Sequence, residues 1–147
     1  MNDKGRIVSI NISKKKGQKK NQVKEVLLND YGIIGDGHSG RWHRQVSLLS
    51  LESILYVNEK GMDTKPGDFA ENLTVEGIDM KKFKNGDVLV IDSEEKISLM
   101  VTQIGKQCHK PCKIFYHLGF CIMPQEGVFC RVLVPGKIKV GDSIFLV

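Results

Sequence analysis

Cys108 is the residue of this sequence whose surroundings best suit covalent chemistry. It lies between Lys106 and Lys110 and just ahead of Pro111, after which Ile114, Phe115 and Leu118 recur at helical spacing as far as Gly119. Nearby cations and a helix N-terminus both favour the thiolate, the form that attacks sulfur or binds a soft metal. Cys112, about one helical turn later, competes for the same role, and Cys121 is a supporting thiol. Cys130 stands in an apolar run and reads as a small buried hydrophobe. Cys108, His109, Cys112 and Cys121 offer zinc-type ligands, but their spacings do not form the paired Cys-x2-Cys pattern of zinc ribbons.

Two glycine-rich segments carry the remaining chemistry. Residues 32–45 place Gly35, Gly37 and Gly40 beside His38, Arg41, His43 and Arg44. Glycines let successive N–H groups face an anion, and arginine adds a fork that fits phosphate oxygens. No Gly-Lys-Ser/Thr ending or dinucleotide fingerprint is present, and a long solvated turn explains the same residues. Residues 66–77 include Glu71 and Asn72. The asparagine amide suits a heterocycle edge, and it equally suits the backbone of its own turn.

Short strands must position these groups. Residues 6–12 alternate apolar and polar, the period of a half-buried strand, and residues 23–28 follow as its hairpin partner. Further strands are expected at 45–49, 88–91, 97–102, 128–133 and 143–147. Ser50 is a helix cap for residues 51–60, with Glu52 in the first turn, Gly61 past the end, and Leu51, Ile54 and Leu55 as the buried face. The dipeptide Gly-Asp occurs at 35, 67, 86 and 141, the last two as turns that launch strands. The pattern predicts a mainly β protein, a single β-barrel-like domain over residues 1–147 with a few short helices.

The 147 residues, 41% hydrophobic and 27% charged, suit a folded globule that needs no metal or disulfide to fold. No apolar run is long enough to cross a membrane and the N-terminus carries no signal-peptide core, so a cytoplasmic protein without membrane partners is expected. The net charge of +5 comes from Lys14, Lys15, Lys16, Lys19 and Lys20, without which positive and negative residues balance. A solvated hairpin tip accounts for them. No aromatic residue interleaves to stack bases, which disfavours a nucleic-acid partner.

In order along the chain, Gly32-Ile33-Ile34-Gly35-Asp36-Gly37-His38-Ser39-Gly40, Arg44-Gln45-Val46-Ser47-Leu48-Leu49, Gly67-Asp68-Phe69-Ala70-Glu71-Asn72-Leu73-Thr74-Val75-Glu76-Gly77, Cys108, and Gly127-Val128-Phe129-Cys130-Arg131-Val132-Leu133 through Gly141-Asp142 resemble the stand-alone MOSC domain, named for the C-terminal domain of molybdenum cofactor sulfurase. The resemblance implies a β-barrel-like fold and a cysteine, here Cys108, that carries sulfur as a persulfide or ligates molybdenum. It places the family histidine and arginines on His38, Arg44 and Arg131, and the Glu-Asn pair on Glu71 and Asn72, as residues that bind the molybdenum cofactor (molybdopterin). A phosphate, a pterin edge and a thiophilic metal ask for arginine, an amide and a thiolate, and the chain offers one candidate for each.

The function expected from this resemblance is cofactor-dependent sulfur transfer or redox chemistry. The family includes reductases of N-hydroxylated compounds. Because the sequence has no flavin, haem, iron–sulfur or desulfurase signature, a cysteine desulfurase, another sulfur donor or an electron-donor protein is expected as partner. Competing readings are a molybdate- or tungstate-binding barrel and a nucleic-acid-binding barrel, neither of them catalytic.

Overall fold

The computed structural model describes residues 3–15, 18–105 and 126–147. Its first strand, β1 (Lys4–Ile12), buries both Ile7 and Ile10 completely. Residues three apart cannot share a face of a regular strand, and a register shift between Ile7 and Ser9 resolves the conflict. Beyond the shift, Ser9 and Asn11 alternate with Ile10, and they too are buried.

Seven strands close into a barrel. Starting from β1, the neighbours are β6 (Leu73–Glu76), β5 (Val46–Ser50), β9 (Val128–Val134), β8 (Lys96–Ile104), β7 (Val88–Asp92) and β11 (Ser143–Leu146), which returns to β1. Among the described strands only the β5–β6 pair is parallel, and helix α1 (Leu51–Glu59) provides its crossover. The barrel interior is filled by Ile7, Ile10, Leu48, Leu73, Leu89, Ile91, Leu99 and their neighbours. Mainly β architecture and barrel both agree with the expectation from the strand pattern.

The segment 23–28 divides in two. β2 (Asn21–Val23) is the hairpin partner of β1, pairing Ile10 with Val23. β3 (Glu25–Asn29) turns into a small second sheet between β10 (Gly136–Lys139) and β4 (Gly32–Ile33). Helix α1 is capped as expected, the Ser53 amide donating to Ser50 Oγ at 3.1 Å. Its buried face is corrected, however. Ile54 and Val57, at i and i+3, pack with Leu49, Phe69 and Phe129, whereas Leu55 is 51% exposed. A one-turn 3-10 helix at Met80–Lys82, capped by Asp79 accepting the Lys81 amide, adds to the elements expected from the sequence.

Candidate functional site

Asp36 organises the glycine-rich loop that carries the basic residues. Its Oδ1 accepts the Ser13 amide (3.0 Å) and the Lys20 ammonium (2.7 Å), and its Oδ2 accepts the His38 amide (2.9 Å). Burial pushes the carboxyl pKa up, but the bonds from Lys20, Ser13 and His38 outweigh it and hold Asp36 below its ordinary range. The Lys20 side chain is completely buried in this pair and also donates to Ser13 Oγ at 3.0 Å. Lys20 therefore does not belong with the solvated lysines of its loop: a buried carboxylate neutralises it. Lys14, Lys15 and Lys19 remain exposed.

From Asp36 the loop runs through an aromatic stack. Buried His38 lies parallel to Trp42 with ring centres 6.3 Å apart, and Trp42 Nε1 donates to the His38 carbonyl at 2.7 Å. The Arg44 guanidinium carbon sits 4.6 Å from the Trp42 ring centre and 5.7 Å from that of Phe129. Such contacts contribute roughly 0.5–2 kcal/mol each and leave the guanidinium edge for hydrogen bonding. Arg44 Nε is buried, with no hydrogen-bond partner among the described residues. A buried donor lacking a partner is costly, and an oxyanion is the ligand that would satisfy it.

The loop is fastened to the barrel at two places. Buried Gln45 donates to the carbonyls of Asp30 and Gly40 and accepts the Val132 amide of β9 at 2.8 Å. On β8, an irregularity between Val101 and Gln103 directs the Thr102 hydroxyl to the carbonyls of His43 and Phe129. Next to it, His43 Nε2 lies 2.8 Å from Gln103 Oε1, and Gln103 Nε2 donates to the Gly105 carbonyl at 2.7 Å. The Gly105 amide in turn donates to Gly127 (2.7 Å). The basic loop and the two ends of the chain segment containing Cys108 are thus joined by a short series of hydrogen bonds.

Glu71 and Asn72 occupy a different setting, a buried polar seam on β1, β5 and β6. Asn72 Oδ1 accepts from the Ser47 amide (3.0 Å) and hydroxyl (3.2 Å), and its Nδ2 donates to the Asn11 carbonyl (3.2 Å). Glu71 Oε2 accepts from the Gly67 amide and the Thr74 hydroxyl, while its buried Oε1 has no hydrogen-bond partner among the described residues. Burial pushes the Glu71 pKa up, and the Gly67 and Thr74 bonds offset this only in part. Both residues are completely inaccessible. The amide of Asn72 is committed inside the fold, which is the arrangement of a structural clamp.

Arg131 stands exposed on β9 between buried Cys130 and Val132. Burial pushes the Cys130 thiol far up, in keeping with an inert core cysteine. Cys108 and Cys112, with His109, Cys121 and the helix expected after Pro111, lie outside the described residues. Among the described residues, no three His, Cys, Asp or Glu side chains are grouped to hold a metal. None of the described helices is long and apolar enough to cross a membrane. An open cleft of about 1080 Å³ is lined by the start of α1, the 3-10 helix, Ile104 and Glu126.

Several residues of this site were not singled out in the sequence: Lys20, Trp42, Gln103 and Phe129. Lys20 sat within a lysine run that masked it. Trp42, the one tryptophan of the chain, lay between basic residues where a stacking role leaves no periodic signal.

A family model described as MOSC domain matches residues 35–145. Among solved structures, the chain is similar to the YuaD protein from Bacillus subtilis, with 20% identity, a TM-score of 0.80, and coverage of 97% of this chain and 95% of that one. It is similar to YiiM from Geobacillus stearothermophilus at 24% identity and TM-score 0.69, covering 97% and 75% of the two chains. For YiiM from Escherichia coli the values are 23%, 0.66, 97% and 69%. These likenesses concern the fold. No curated protein matches the chain.

Proposed function

The chain belongs to the MOSC domain family, and from that premise we propose that it binds the molybdenum cofactor and acts in sulfur transfer or cofactor-dependent redox chemistry through Cys108. The observation that carries this reading is the buried Arg44 Nε, without a hydrogen-bond partner among the described residues, on a guanidinium packed near Trp42 and Phe129 in a loop bonded through His43 and Gln103 to Gly105. Cys108 follows Gly105 by three residues.

The donor set fits the phosphate of the cofactor. Arg44 would hold that oxyanion through its guanidinium, Nε included, and the loop fixed by Asp36 would keep His38 and Arg44 in register. Exposed Arg131 is available for a further charged contact. Glu71 and Asn72 support the reading as parts of the seam beneath the glycine-rich block, with no amide left over for a pterin edge. When bound, the cofactor supplies a thiophilic, redox-active metal.

Cys108 would act either as a ligand to that metal or as a sulfur carrier. As a carrier, its thiolate attacks the terminal sulfur of a donor protein's persulfide. A new S–S bond forms on Cys108, the donor's S–S bond breaks, and the donor leaves as its thiolate. A cysteine desulfurase fits the donor role. In the redox reading the partner is an electron donor.

The test is elemental analysis with mass spectrometry of protein purified from a molybdenum-replete host. Molybdenum with pterin, or sulfane sulfur on Cys108, supports the proposal. Protein lacking all of these after exposure to both cofactor and persulfide donor would overturn it. The same unsatisfied Arg44 edge favours one second reading, a binding site for molybdate or tungstate themselves. Titration with tungstate against sulfate separates a selective site from general anion attraction.

A further inference from the structure

The four Gly-Asp turns of the chain share one backbone design, and one of them departs from it in its side chain. In each, the aspartate amide donates to the carbonyl three residues back, as Asp36 to Ile33, Asp68 to Lys65, Asp87 to Lys84 and Asp142 to Lys139, at 3.0–3.1 Å. The glycine takes a positive φ of 92–99° each time, which an L side chain rarely adopts. Asp68, Asp87 and Asp142 then close their own turns, each carboxylate accepting the amide of the lysine three residues before it. Asp36 has Ile33 at that position and turns its carboxylate inward, to Lys20, Ser13 and His38.

Lys20 also reaches the other glycine-rich block. Its amide donates to the Gly67 carbonyl at 2.9 Å, and the Gly67 amide donates to Glu71 Oε2 at 3.1 Å. The approach is close: a Cβ on Gly67 would lie 2.4 Å from the Lys20 carbonyl oxygen. One residue therefore ties both blocks together, its backbone on the Glu-Asn segment and its side chain on the loop leading to Trp42 and Arg44.

We infer that Lys20 is a positioning residue for the Arg44 site: its buried ammonium draws the Asp36 carboxylate off its own turn, and Asp36 thereby sets the His38–Trp42–Arg44 stack. The inference rests on the reading of Arg44 as an anion-recognising group. As the one tryptophan of the chain, Trp42 reports the stack directly. The experiment compares wild type, Lys20→Met, the milder Asp36→Asn, and Leu99→Ala as a barrel-core control that loses stability without removing any contact of the Lys20–Asp36 pair.

Each is followed by acrylamide quenching of Trp42 well below its melting temperature, with far-UV circular dichroism confirming the barrel. The expected result is a quenching constant raised about twofold or more in Lys20→Met and Asp36→Asn, and unchanged in Leu99→Ala, since a local latch opens without global unfolding. Equal quenching in wild type and Asp36→Asn, or the same rise in Leu99→Ala, would overturn the inference and leave Lys20 a merely stabilising group. Tungstate titration of the same proteins keeps the two readings apart. A wild type that does not bind tungstate contradicts an anion site at Arg44 while the quenching comparison still decides the latch.

Discussion

His43 Nε2 lies 2.8 Å from Gln103 Oε1, so the loop bearing the basic residues is bonded to the strand that runs on toward Cys108. Gln103 continues the connection to Gly105 and Gly105 to Gly127. In this way the cationic loop is tied, through the irregular end of one β-strand pair, to Gly105 and Gly127, which flank the segment containing Cys108. The barrel supplies the rigidity: β8 and β9 are long, paired on both sides and anchored in the interior by Leu99, Val101 and Val132.

Arg44→Gln removes the charge and the fork while keeping part of the stem. A charge-assisted hydrogen bond contributes about 1.5–3 kcal/mol, so affinity for tungstate or phosphate should fall roughly ten- to a hundredfold. Calorimetric titration checks this. An undiminished affinity would move the anion site away from Arg44.

Asn72→Ala tests the polar seam. The variant leaves the Ser47 amide and the Asn11 carbonyl without their side-chain partner in a fully buried place. Stability should fall by roughly 3 kcal/mol, read from urea unfolding. A change below about 0.5 kcal/mol, the range of an ordinary surface substitution, would contradict the clamp.

Two buried carboxyls give opposite pH dependences. Glu71 has a folded pKa raised above its ordinary 4.5, so the native state holds this proton more tightly than the unfolded chain. Stability from this group is complete below pH 4.5 and is lost as pH rises through the folded value. Asp36 is held below its ordinary 3.8, so its contribution is present above that pH and is lost as pH falls through the folded value. Urea melts across this range should show Glu71→Gln losing the decline on the alkaline side, and Asp36→Asn weakening the decline on the acid side. A Glu71→Gln profile superimposable on wild type would contradict the first assignment.

Much of this architecture is legible in the sequence because its signals are local. The strand over residues 6–12 and the Ser50 cap of α1 each depend on a few adjacent residues, and both agree with the structure, although the half-buried alternation gives way to a register shift that buries Ser9 and Asn11 beside Ile10. What escaped depends on distant partners. β6 reads as part of a glycine-rich turn segment because its apolar–polar alternation spans only Leu73 to Glu76, too short to stand out between Gly67 and Gly77, and pairing with β1 and β5 is what makes it a strand. Leu55 shares helical spacing with Leu51, but the second packing surface under α1 is made by Phe69 and Phe129, which select Ile54 and Val57. Lys20 could not be told from its exposed neighbours, since only the fold reveals that Asp36 faces it.

Cys130 should resist modification. Its side chain is inaccessible and burial disfavours its thiolate. Treatment of the folded protein with iodoacetamide, followed by peptide mass spectrometry, should leave Cys130 unlabelled until denaturant is added. Rapid labelling in the native state would contradict its placement in the core.

The central claim is that Cys108 is the working thiol, and intact-mass and peptide analysis after incubation with a cysteine desulfurase and cysteine tests it most directly. Wild type should gain one sulfur atom, reversible by dithiothreitol and located on the Cys108 peptide, or else co-purify with molybdenum and pterin that Cys108→Ser loses. A Cys108→Ser protein that takes up sulfur and retains metal and pterin to the same extent as wild type would contradict it.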